Sequence, residues 1–265
     1  MKIHVIGEHS RWHCGSKAVT QYLHLLVEKH GFTLVDNGSD ADCILINGEG
    51  SLHDNLHLDK LALGFLFKSK GKKVHLINSV WQNMNFSGVE VIKSFDSVFV
   101  RELISYNEIK AIRPDAKIAT DLSYFLPIVN PVMLRSETIV GGFFKRDAEG
   151  DFGWLKKTKG YRRVNIKSYN LWQDYLNDLA SAKLLITGFH HEVIAAIKLR
   201  IPFVAHRGNT DKVLGIIQRA GADIPVASKP NELLYNLDNL PSQEEYNKLF
   251  DFIAAEKPFD LGDLS

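Results

Sequence analysis

The stretch Leu184–Lys212, LLITGFHHEVIAAIKLRIPFVAHRGNTDK, decides the fold. Leu184–Ile186 is a short apolar run of the kind that makes a buried strand, and Thr187-Gly188 breaks it. Val193, Ile194 and Ile197 recur at helical spacing, so Val193–Leu199 reads as a helix entered through Phe189-His190-His191-Glu192. Pro202 ends that helix, and Phe203-Val204-Ala205 is the next strand. The order strand, turn, helix, strand makes a parallel β/α/β unit. Its polar side chains cluster at the strand's carboxyl end, where open parallel sheets take their ligands.

The same alternation extends in both directions. Lys2–Gly7, Phe32–Val35, Cys43–Ile46, Val74–Asn78, Ser97–Val100 and Ile118-Ala119 read as strands. The helices between them include Val19–Val27, with Ser16 as the expected cap, and Leu58–Lys70. Pro127 and Pro131 flank an apolar connector, the best boundary in the chain. Beyond it, Thr138–Phe144 and Val164–Ile166 are expected strands, and Leu171–Ala182 is an expected helix. Asp211–Arg219, Asn231–Leu237 and Gln243–Glu256 are helices, with Ile224–Val226 a strand. The fold class is α/β, with parallel sheets in two Rossmann-like β/α/β domains at 1–130 and 131–265. The last helix is expected to pack back on the first domain.

Composition excludes several classes. With 45% apolar and 24% charged residues over 265 positions, the chain has the balance of a globular protein. A formal net charge of +1 provides no whole-molecule field toward nucleic acid or membrane. No apolar run approaches the roughly 20 residues of a membrane span. Cys14 and Cys43 are too few for a disulfide framework and fit a reducing cytoplasm.

The candidate site residues stand at expected strand ends. In the second half Gly188, His190, His191 and Glu192 open a helix, whose N–H groups attract anions. Arg207, Asn209, Thr210 and Lys212 follow the neighbouring strand. Together they supply cations, hydroxyl and amide donors around a phosphate-sized ligand. Adjacent helical histidines point about 100° apart, so His190 and His191 are poor co-ligands for one metal. In the first half, Asn47-Gly48-Glu49-Gly50-Ser51 is a glycine turn that lets backbone approach a ligand. Glu49, His53, Asp54, Asp121 and His13 are the candidates for a general base. Lys145–Arg163 is basic with interleaved aromatics, a pattern that suits a lid, an acceptor loop or a nucleic-acid strand.

The order of these motifs resembles the polysaccharide pyruvyl transferase family, itself similar to two-domain glycosyltransferases of the GT-B type. Asn47–Leu52 is similar to its glycine-rich turn. Val100-Arg101-Glu102-Leu103-Ile104-Ser105 is similar to its Arg-Asp/Glu-x-x-Ser signature, and Thr120-Asp121 to its aspartate after a strand. Thr187-Gly188-Phe189-His190-His191, with Pro202-Phe203 and Asn209–Lys212, resembles its most specific block. One position departs: where the family has Arg, one residue, then His, this chain has Phe189 ahead of His191. The resemblance implies an arginine there for the phosphoenolpyruvate anion, and a phenyl ring cannot clamp an anion as arginine does.

The expectation that follows is a GT-B-like transferase whose domains face one cleft. The first reading is a glycosyltransferase moving a sugar from a nucleotide-sugar donor to a hydroxyl of a glycan, or of a modified DNA base. The donor lies near Gly188, His190, His191, Glu192, Arg207, Asn209, Thr210 and Lys212. Glu49, Asp121 and His191 are the catalytic candidates, and His13, Gly48, Ser51 and Arg101 the acceptor-side ones. The alternatives are pyruvyl ketal formation from phosphoenolpyruvate and a non-catalytic sugar- or nucleotide-binding protein. No cofactor is firmly indicated, and a divalent cation such as Mg2+ stays open.

Overall fold

The computed structural model describes residues 1–7, 11–84, 86–143, 155 and 158–264. Of the basic stretch Lys145–Arg163, residues 145–154, 156 and 157 lie outside the described residues. The chain divides into two compact units. One holds Met1–His9, Val19–Leu122 and Lys257–Ser265, and the other holds Ser10–Ala18 and Ser123–Glu256.

The first unit is built on six strands: β1 (Lys2–Ile6), β2 (Thr33–Leu34), β3 (Cys43–Glu49), β4 (Lys73–Ser79), β5 (Ser97–Val100) and β6 (Lys117–Ile118). They lie in the order β2-β1-β3-β4-β5-β6, and every pairing is parallel. Helices α1 (Cys14–Lys29), α2 (Leu58–Ser69), α3 (Phe86–Lys93) and α4 (Leu103–Lys110) alternate with them, and the short α5 (Leu122–Phe125) leads into the second unit. β3 is buried at all its residues, as a central parallel strand covered on both faces must be. Its Ile44 and Ile46 pack with Leu61, Leu76, Phe95 and Val98.

Among its described residues the second unit carries five strands: β7 (Glu137–Val140), β8 (Tyr161–Arg163), β9 (Ala182–Thr187), β10 (Phe203–His206) and β11 (Val226–Ala227). Their order is β11-β10-β9-β7-β8, again all parallel. Its described helices include α6 (Trp172–Leu179), α7 (His190–Leu199), α8 (Lys212–Arg219), α9 (Pro230–Asp238) and α10 (Gln243–Ala255). Val140, Ile186, Val204 and Leu233 form one core cluster. These are two Rossmann-like β/α/β units, the α/β class expected from the sequence.

Three local expectations change. α1 starts at Cys14, before Ser16; the Ser16 N–H donates to His13 Nδ1 at 3.2 Å, so His13 does the capping. β7 stops at Val140, although Gly141 N still donates to Ile186 O at 2.8 Å; a Cβ at Gly141 would fall 1.9 Å from a Glu192 carboxylate oxygen, so the position requires glycine. The strand expected at Val164–Ile166 is instead β8, followed by a 3-10 turn at Ile166–Ser168. Asn165 Oδ1 accepts from Lys167 N at 3.0 Å, a local side-chain bond that competes with extension of the ladder.

Candidate functional site

In the second unit β9 and β10 pair in register, Ala205 beside Thr187, so the turns that follow them share one sheet edge. The turn after β9 is locked by Glu192. Its carboxylate accepts from Gly142 N at 2.8 Å, from Ile166 N at 3.2 Å and from the Thr187 hydroxyl. Three chain segments are thereby tied to the first turn of α7. Burial raises the Glu192 carboxyl from 4.5 to about 7, outweighing these bonds, which favour the charge. Glu192 was expected near the donor; both of its oxygens are engaged internally, and it braces the turn. Gly188 N donates to Gly142 O at 2.8 Å, and a Cβ at Gly188 would fall 3.0 Å from the Phe143 ring.

His190 and His191 are both buried, with ring centroids 5.4 Å apart. The His13 ring stands edge-on to His191 at 4.9 Å. His13, expected with the acceptor-side residues of the first half, therefore belongs with the donor-side histidines. Because a backbone N–H donates to its Nδ1, that nitrogen carries no proton in this arrangement. The α7 amino terminus and these imidazoles suit an anion.

The turn after β10 holds itself together. The Lys212 ammonium donates to Asn209 Oδ1 and, at 3.1 Å, to Thr210 Oγ1. Arg207 pairs with Asp211 at 2.5 Å. Gly208 N donates to His206 Nδ1 at 3.2 Å, and the other ring nitrogen of His206 meets Ser228 O at 3.2 Å.

In the first unit the carboxyl ends of the strands form a polar edge. Asn47 Nδ2 donates to Gly7 O at 3.2 Å and to Glu49 Oε1 at 3.4 Å; Asn78 Nδ2 reaches Asn47 Oδ1 at 3.3 Å. Glu49 and Asn78, at the ends of the neighbouring β3 and β4, both adopt left-handed backbone, with φ of 43° and 50°. For a glutamate that conformation is strained, and such strain collects at functional sites. Gly48 is required by contact, because a Cβ there would fall 2.1 Å from Ser79 Oγ.

Arg101 and Asp121 meet each other and are withdrawn from solvent. Arg101 Nη1 lies 2.5 Å from Asp121 Oδ2, with side chains 1% and 0% exposed. Glu102, next along, caps α4 by accepting from Ile104 N at 2.6 Å and Ser105 N at 2.9 Å. Ser105 Oγ in turn accepts from Trp81 N at 2.8 Å. The Arg-Glu-x-x-Ser signature is thus a structural bracket in this unit. Of the expected catalytic groups, Glu49 and His191 each keep 6% exposure, whereas Asp121 is committed to Arg101.

Two residues escaped the sequence reading. Lys60 Nζ donates to Ser51 Oγ at 2.9 Å, and burial lowers its ammonium to about 8 against the pull of Glu49. Its signal was a lysine on the stripe 60, 64, 67 that α2 buries. Lys167 lies with its ammonium 5.2 Å from the Phe189 ring centroid, a contact 22 residues apart in sequence that no local pattern announces. Among the described residues no group of three or more His, Cys, Asp or Glu is disposed to hold a metal ion. No described helix is long and apolar enough to cross a membrane.

The family model described as polysaccharide pyruvyl transferase matches residues 3–206. No curated protein sequence matches the chain at a significant level. Among solved structures, the chain is similar to a functionally uncharacterised protein from Klebsiella pneumoniae (17% identity, 82% of this chain and 87% of that one, TM-score 0.57). It is also similar to a protein from Listeria monocytogenes described as a UDP-N-acetylglucosamine 2-epimerase (12% identity, 94% and 90%, TM-score 0.59). A third is the UDP-GlcNAc 2-epimerase of Neisseria meningitidis bound to UDP-GlcNAc (10% identity, 100% and 97%, TM-score 0.56). At these identities the likeness is one of fold.

Proposed function

The chain belongs to the polysaccharide pyruvyl transferase family and is a transferase; from that premise we propose that it forms a pyruvyl ketal on a saccharide, with phosphoenolpyruvate as donor. The observation that carries this reading is the setting of His191. It is buried at the head of α7, edge-on to His13, within the block that gives the family resemblance.

In this reaction two hydroxyls of the sugar form two C–O bonds to C2 of the enolpyruvyl group. The bond from C2 to the phosphate oxygen breaks, the methylene carbon takes one hydroxyl proton to become methyl, and the other proton leaves with inorganic phosphate. The α7 amino terminus holds the donor's negative charge, and His191 delivers the proton to the methylene carbon.

A second reading, sugar transfer from a nucleotide-sugar to a glycan or a modified DNA base, is favoured by Phe189, an aromatic where the resemblance implies arginine. A thermal-shift screen separates the two. Phosphoenolpyruvate and the UDP-, GDP-, CMP- and TDP-sugars are each tested with and without magnesium. A ligand at about 100 times its dissociation constant adds about 2.7 kcal/mol to stability. A shift with phosphoenolpyruvate, followed by acceptor-dependent phosphate release, supports pyruvyl transfer. A shift with one nucleotide family alone replaces it with glycosyl transfer.

A further inference from the structure

We propose that Lys167 provides the cation for the donor's anionic group, the role that Phe189 cannot fill; this rests on the anionic-donor reading above. The turn Thr187–Glu192 contains no lysine or arginine. Of the other cations expected near the donor, Arg207 is neutralised by Asp211, and Lys212 is tied by Asn209 and Thr210 into the turn after β10. Arg101 is closed into its pair with Asp121 in the first unit.

Lys167 reaches the turn from another segment. Its ammonium lies 5.2 Å from the centroid of Phe189, the residue immediately ahead of α7. The ring itself is fixed, because it packs so closely on Gly142 that a Cβ there would fall 2.2 Å from it. The backbone that carries Lys167 is fixed as well. Ile166 N donates to Glu192 Oε1 at 3.2 Å, Lys167 N donates to Asn165 Oδ1 at 3.0 Å, and Cys14 Sγ donates to Ile166 O at 3.5 Å. Glu192 therefore positions the cation and the head of α7 together. No salt bridge among the described residues neutralises Lys167, whose side chain is exposed. The Phe189 ring attracts the ammonium by its π face and holds it beside the helix amino terminus without cancelling its charge. A flexible ammonium makes a point contact, not a two-pronged clamp, so the site tolerates variation in the shape of the anion more than an arginine site does.

The test is calorimetric titration of phosphoenolpyruvate into the wild-type protein and into Lys167→Met, Lys167→Arg and the double variant Lys167→Met/Phe189→Arg. Methionine keeps the aliphatic stem over Phe189 and removes only the charge, and thermal midpoints verify that each variant folds. The expected result is binding weakened about tenfold or more in Lys167→Met, kept in Lys167→Arg and regained in the double variant. Equal binding by wild type and Lys167→Met overturns the role of Lys167 and leaves the donor reading intact. No binding by the folded wild type overturns the donor reading itself.

Discussion

Gly15 lies so close to His191 that a Cβ at position 15 would come within 2.6 Å of the His191 Cβ and 2.7 Å of its Cγ. Those atoms sit at the root of the ring and cannot swing away as a flexible tip would. In an open helix, alanine in place of glycine stabilises by about 1 kcal/mol. Here the sign reverses: Gly15→Ala is expected to lose about 1–3 kcal/mol through overpacking and to turn the His191 ring away from His13. Urea unfolding reads the first effect and turnover the second. A variant more stable than wild type and fully active would show that His191 moves freely.

Glu192 sets a pH dependence of stability. Its folded carboxyl is raised from 4.5 to about 7, chiefly by burial. The folded state thus holds the proton more tightly than the unfolded chain does, and stability contributed by this group is complete below about pH 4.5. That contribution is lost as pH rises through about 7. Denaturation midpoints measured from pH 5 to pH 8 are expected to fall more steeply in wild type than in Glu192→Gln, which has no such proton. Parallel curves would mean that Glu192 is not desolvated as its contacts imply.

The buried pair Arg101–Asp121 predicts an asymmetry between single and double variants. Asp121→Ala leaves the guanidinium buried without its carboxylate, and unfolding is expected to become easier by about 3–5 kcal/mol. Replacing both residues, Arg101→Met with Asp121→Leu, removes the uncompensated charge and is expected to recover most of that loss. Should Asp121→Asn instead abolish turnover at unchanged stability, the carboxylate would have a chemical role that its burial argues against.

The β/α/β reading of Leu184–Lys212 held because it rests on periodicity and on Pro202, which are local. The continuous apolar run Cys43–Ile46 likewise marked a strand covered on both faces. What stayed hidden depends on distant partners. Asp121 reads as a free carboxylate at a strand end, and its fold neighbour Arg101, 20 residues earlier, withdraws it. His13 stands in the first strand–helix loop, so chain order assigned it to the first half. Its segment Ser10–Ala18 nevertheless groups with the second unit, where Cys14 Sγ meets Ile166 O, 152 residues away. The paired glycines Gly141-Gly142 were visible, but their cause, the Glu192 carboxylate and the Phe189 ring lying against them, was not.

Glu49 allows chemistry to be separated from folding. Its backbone is left-handed, φ 43°, a conformation in which asparagine is more at ease than glutamate. Glu49→Asn is therefore expected to fold, the eased backbone offsetting part of the stability lost when the buried Lys60 ammonium gives up the carboxylate near it. If Glu49 is the base toward the acceptor hydroxyl, turnover falls about 100-fold or more while donor binding, which depends on the second unit, keeps its affinity. Lys60→Met serves as the companion variant. Burial holds the Lys60 ammonium down at about 8, so wild-type activity is expected to change as pH rises past 8 and the variant's to lose that inflection. Full turnover by Glu49→Asn would remove the first unit's carboxylate from the mechanism and leave proton removal to His13 or His53.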